Sequence, residues 1–226
     1  MHHSSLTLWM NQLSMGEKMV AKKVVTVGLA VVLIISSPAI ATADSAKPGQ
    51  SMTHMKTAAG VISNLEAAGI VVYVQGGATA SIIGDAISSA NGQIVFHIPV
   101  TSNNKGMQHK GSNIVFFNTT NNLQLVLRNP VIDLGAGEVK AIVPQAGDQT
   151  LTILKISNAS TLKPKITNDR KGGLRTTSYK DAALVVAPGV AATIATTLGL
   201  PANTLPEGMA FGSTEVTIYS KIARNR

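Results

Sequence analysis

The sequence predicts an all-β fold, an antiparallel β-sandwich with two short helices that follows a cleaved signal peptide. Three observations predict it. Apolar residues recur with a period of two in many short segments beyond residue 70, and clusters of Asn, Gly, Pro and Asp separate those segments at intervals of about ten residues. Only two stretches after the N-terminal region carry helical spacing instead.

Residues 1–43 read as the export signal. Lys18, Lys22 and Lys23 precede an uncharged apolar run from Val24 to Ile35, which Ser36, Ser37 and Pro38 bring to an end. Ala41-Thr42-Ala43 then offers small residues at the positions a signal peptidase recognises, so cleavage is expected after Ala43 and the mature chain starts at Asp44. The run falls short of the roughly 20 apolar residues a membrane-spanning helix needs. Membrane contact is therefore expected only through the signal peptide before cleavage. Met15 and Met19 are alternative starts with the same consequence. A polar lead over residues 44–54 reads as a linker, and residues 55–226 as a single β-sandwich domain.

Composition narrows the function classes. The 183 residues after Ala43 are enough for one ordinary core. The chain has no cysteine, which excludes disulfides, a lipoprotein anchor, a zinc–thiolate site and a cysteine nucleophile. Its net charge of +8 comes from basic residues scattered along the chain and not interleaved with aromatics, so no nucleic-acid partner is expected. An anionic cell-envelope component or another surface protein suits this charge better.

The elements follow in order. Thr57 to Gly69 places Ala58, Val61, Ile62, Leu65 and Ala68 on one helical stripe, with Gly69 as its stop. Strands are expected at Ile70–Val74, at Ile94–Ile98 before Pro99, and at Ile114–Phe117. Asn118 to Asn122 is a turn cluster, after which Leu123, Leu125 and Leu127 should face the core while Gln124 and Arg128 face solvent. Val139–Val143, Leu151–Ile156, Thr176–Val186 and Ser213–Ile222 continue the alternation. Val190 to Leu200 echoes the first helix and closes on Gly199, so the two helices are expected to cover the open ends of the strand array.

The same features carry a family resemblance. They are Leu65-x-x-x-Gly69-Ile70, the strand Gln93 to Thr101, the hairpin Gly106-Met-Gln-His109-Lys-Gly-Ser112, the segment 122–134 with its Asn129-Pro130 pair, and Pro206 to Val216. In order and spacing, over about residues 55–219, they resemble secreted, mainly actinobacterial proteins related to the HtaA-like domain. The resemblance implies a surface protein and, as an alternative function, binding of haem or a small ligand. Tyr73, His97 and His109 are the ligand candidates it implies. In the named relatives the haem tyrosine sits in an early Trp…Ser-Phe…Tyr segment, which the exported part of this chain lacks. Tight haem binding by the mature protein is therefore not expected.

Catalytic signatures are missing. The sequence has no Gly-x-Ser-x-Gly elbow, and its acidic residues are dispersed beside turns, so no enzyme is expected. No HxH or HExxH spacing exists, and neither a metal nor a resident cofactor is expected. His54 falls in the linker, His97 should point away from Phe96 and Ile98, and His109 should sit in an exposed Lys/Gly hairpin. Arg170, Lys171 and Arg175 flank Gly172-Gly173, a turn that offers an anion both backbone amides and cations. The expected function is that of a secreted, non-enzymatic structural or interaction module at the cell envelope.

Overall fold

The structure, a computed structural model, describes residues 50–84, 91–201 and 204–222. The expected signal peptide and its cleavage site lie outside the described residues, as does the end of the basic C-terminal tail. By its contacts the chain divides into Met1–Ala39 and Ile40–Arg226, and everything described belongs to the second unit. No described helix is long and apolar enough to cross a membrane.

The fold is all-β and antiparallel with two short helices. In chain order the first elements are β1 (Met52–Thr57), α1 (Val61–Ala67), β2 (Ile70–Gly76), β3 (Thr79–Ile83) and β4 (Gln93–Pro99). Then come β5 (Met107–Gln108), β6 (Ser112–Asn118), β7 (Gln124–Asp133), β8 (Glu138–Val143) and β9 (Gln149–Ile156). β10 (Lys165–Asp169), β11 (Leu174–Val186), α2 (Val190–Thr197) and β12 (Ala210–Lys221) complete it. The strands pair along one path, β2-β6-β7-β8-β9-β11-β12-β1-β4-β3, with β10 on the side of β11 and β5 on β7.

That path is folded over on itself, because strands from both of its halves bury their inner faces in one core. Met55, Phe96, Ile98 and Val216 come from one half, and Ile114, Phe116, Leu127, Ile132, Val139 and Ile153 from the other. Val61 and Leu65 of α1 and Ile194 of α2 join Met55, Phe116 and Ile153 around an apolar cavity of about 60 Å³. β8 keeps the strict two-residue alternation of a strand, whereas β4 and β6 each bury three consecutive residues and β9 buries Ile153 and Leu154 in succession.

Both helices are framed by glycines in the left-handed region, Gly60 and Gly69 around α1, Gly189 and Gly199 around α2. Both end against the same turn between β6 and β7. Thr119 N donates to the Gly69 carbonyl at 2.9 Å, while Asn118 and Asn121 donate side-chain amides to the Leu198 carbonyl at 2.7 and 3.0 Å. The carbonyls at the helix ends are thus satisfied by backbone and side-chain groups of the turn. The expectation of one helix at each open end is corrected: both meet one end, because one Asn-rich turn caps both.

Three further expectations change. Met52, Thr53 and His54, read as linker, belong to β1, which runs between β12 and β4. Thr57 also belongs to β1, so the first helix starts only at Val61. Leu125 and Leu127 are buried and Gln124 is exposed as expected, but Leu123 is exposed and Arg128 half-buried. The reason is local: Leu123 still belongs to the turn, its N–H held by Asn121 Oδ1 at 2.9 Å and its carbonyl by Asn118 N at 2.8 Å.

Candidate functional site

The sequence-derived ligand candidates do not converge. Tyr73 stands exposed on β2 opposite Val115 of β6. His97 lies on the outer face of β4, since its neighbours Phe96 and Ile98 are the buried ones. His109 is only 1 % exposed, which corrects the exposed hairpin expected from its Lys and Gly neighbours.

The burial of His109 begins at Asn129-Pro130. Between Arg128 and Val131 the β7–β8 register shifts, and Asn129 adopts a left-handed φ of 49°. Proline, which lacks a ladder N–H, suits such a bulge. The bulge turns the Pro130 carbonyl toward the preceding loop, where it accepts from His109 N at 3.0 Å and from His109 Nδ1 at 2.9 Å. Because a carbonyl can only accept, Nδ1 carries the proton, and a neutral ring then offers Nε2 as acceptor to Thr53 Oγ1 at 2.7 Å. Burial lowers the His109 pKa from 6.5 to about 4, against the opposing pull of the Pro130 carbonyl. Both ring nitrogens are engaged. His109 is a tie between β7 and β1, strands far apart in the pairing path.

On the outer face a different histidine pair forms. His54 and His97 are direct cross-strand partners, with Nδ1 atoms 2.8 Å apart and rings edge-on at 82°. His97 Nε2 lies 2.9 Å from Ser81 Oγ on β3. Beyond His54, the register partner on β12 is Glu215, which pairs with Lys180 at 3.2 Å. A polar row thus crosses five strands, from β3 through β4, β1 and β12 to β11.

The Arg170-Lys171-Gly172-Gly173 segment is the exposed turn of the β10–β11 hairpin. Its Gly172 amide already bonds Asp169 Oδ1 at 3.0 Å, so an anion there would have to displace a carboxylate. Arg175 is separate in role. It lies on β11 in a polar cleft of about 420 Å³ at the open end away from the helices. Asp133, Thr177, Tyr179 and Ser220 share its walls, and Leu134, Met107 and Ile218 give it apolar patches. Arg175, Thr177 and Tyr179 share one face of β11 by alternation, and Ser220 is the register partner of Arg175 on β12. Among the described residues Arg175 has no ion-pair partner.

A second cleft of about 360 Å³ lies over Lys110, Asn129, Lys140 and Thr150. Its Lys140 is paired with Glu138 at 2.9 Å, and Lys155 contacts the same carboxylate. Those two ammonium groups hold the Glu138 pKa down at about 2, and Lys140 shares this one counter-ion with Lys155, while Lys110 has no ion pair among the described residues.

Sequence reasoning found Arg175 by its glycine neighbours but missed the cleft. Asp133, Tyr179 and Ser220 come from three distant segments, and no local spacing connects them. In comparisons with protein-family models, curated proteins and solved structures, nothing matches this chain.

Proposed function

We propose that this chain is an exported, non-enzymatic binding module that works at or beyond the cell envelope and takes a small carboxylate in the open-end cleft. One observation carries the reading: a guanidinium without an ion-pair partner among the described residues faces a cleft of about 420 Å³ that also holds an acidic group and hydroxyls. That volume lies in the range of small-molecule sites, about 300–1,000 Å³. Arginine's planar fork donates two parallel hydrogen bonds to a carboxylate. Asp133 would accept from a hydroxyl or amine on the same ligand, so hydroxy acids, amino acids and sugar acids fit best. The resemblance to HtaA-like surface proteins supports ligand handling outside the cell. It does not favour haem as the ligand, because Tyr73 and His97 stand on different strands, His109 is buried with both ring nitrogens bonded, and the core cavity is only about 60 Å³.

The test is thermal shift and calorimetry with malate, citrate, gluconate and galacturonate, beside a haemin absorbance titration. One of the acids should stabilise the protein, and Arg175→Ala should weaken its binding at least about tenfold, as loss of a charge-assisted hydrogen bond implies. Tyr179→Phe should cost less. N-terminal sequencing of the exported protein should read from Asp44. Equal binding by Arg175→Ala, or a Soret shift that Tyr73→Ala or His97→Ala removes, would overturn the reading.

A further inference from the structure

His54 and His97 do more than brace two strands. Two imidazole nitrogens 2.8 Å apart can hold a single proton between them, and a cation that displaces this proton would meet a lone pair from each. Ser81 Oγ, 2.9 Å from His97 Nε2, can accept from that nitrogen or donate to it, and so accommodates either state. When Nε2–H donates to Ser81, Nδ1 of His97 is left as a free donor atom facing His54. A metal bound by two adjacent imidazoles at about 2.0–2.1 Å holds their nitrogens roughly 3 Å apart. The pair stands within a few tenths of an ångström of that spacing, on a sheet that keeps both rings in register.

We propose that His54 and His97 form a two-imidazole site for a borderline divalent transition metal, with Ser81 accepting from His97 Nε2–H outside the coordination sphere. Imidazole donors disfavour Ca²⁺ and Mg²⁺, and among first-row ions the affinity order puts Cu²⁺ first. The hydrogen bond that His97 Nε2–H donates to Ser81 is of the kind that supports a ligating histidine. Among the described residues no group of three His, Cys, Asp or Glu side chains is arranged to hold a metal. The pair therefore supplies two ligands and leaves the remaining positions to water or a ligand from solution. Glu215, next in the row, is held by Lys180.

The experiment uses the full chain with His2 and His3 replaced by alanine, because histidines beside an amino terminus bind the same ions. Cu²⁺ titration should show one equivalent bound, and the electron paramagnetic resonance spectrum should carry coupling to two imidazole nitrogens. His54→Gln and His97→Gln should each weaken binding by more than the roughly 10–100-fold that loss of an outer-shell partner costs, and Ser81→Ala by an amount within that range. Zn²⁺ should compete for the site. Circular dichroism checks that each variant folds, and if one does not, the nitrogen coupling of the parent chain decides. A spectrum without two imidazole nitrogens, or unchanged affinity in the folded double variant, would overturn the proposal.

Discussion

At the scale of single residues, His109 shows how a polar side chain can belong to an apolar core. It is buried, neutral and bonded at both ring nitrogens, and the core contains no unsatisfied side-chain polar atom among those described. Its pKa near 4, against 6.5 in an unfolded chain, makes a pH prediction. Above about pH 6.5 neither state binds the proton, and the full stability is present. Below it the unfolded chain takes a proton that the folded one refuses, so stability falls as pH drops from 6.5 toward 4. The loss should reach on the order of 3 kcal/mol. Urea midpoints measured across that range should decline, and His109→Gln should flatten the decline because glutamine does not titrate. An equally steep decline in the variant would contradict the assignment. None of this was legible locally. Gly106, Lys110 and Gly111 make the segment read as a surface turn, and the partner that buries it, Thr53, lies 56 residues away. The one available signal was Asn129-Pro130 inside a strand pattern, which marks a bulge.

At the scale of elements, alternation exposed most of the strands. β8 buries its aliphatic side chains on a two-residue period, and β4, β6 and β9 are runs of aliphatic and aromatic residues that stand out even where consecutive residues are buried. β1 was not, because its inward residues are Thr53, Met55 and Thr57, two of them polar by composition. Their hydroxyls are bonded inside the fold, Thr53 to His109 and Thr57 to the Ile94 amide at 3.0 Å. β10 escaped for the opposite reason: all five of its residues are exposed, so no burial pattern exists to read. β7 offers the cleanest mutational contrast. Leu125→Ala removes a side chain that is 2 % exposed and should cost about 2–5 kcal/mol. Leu123→Ala, two residues earlier at 44 % exposure, should cost less than about 1 kcal/mol. Chemical denaturation of the pair would show whether the strand's buried period starts at Leu125. Comparable losses would mean that Leu123 packs as the simple alternation had suggested.

At the scale of the whole molecule, the fold depends on a strand made last. β12 lies between β11 and β1, so it joins the C-terminal strands to the first one, with Met52 opposite Thr217 and Thr57 opposite Gly212. The backbones come so close there that a side chain at Gly212 would collide with the Lys56 carbonyl. Ser51 Oγ adds a bond to Tyr219 N at 3.0 Å. Without cysteine, no covalent link stands in for this pairing. β1 also carries the His109 tie through Thr53 and the outer histidine pair through His54, so both depend on its position. Pairing over such sequence distances forms slowly and only when the whole chain is present. A chain ending at Pro206 should therefore lack a cooperative unfolding transition and bind hydrophobic dyes, since the edges of β11 and β1 and the part of the core that β12 covers would be open. The full chain should unfold in one transition by both circular dichroism and tyrosine fluorescence, as a single cooperative unit does. A sharp transition in the shortened chain would place the stability in β2 to β9 alone, and β12 would then be an addition to a core that folds without it.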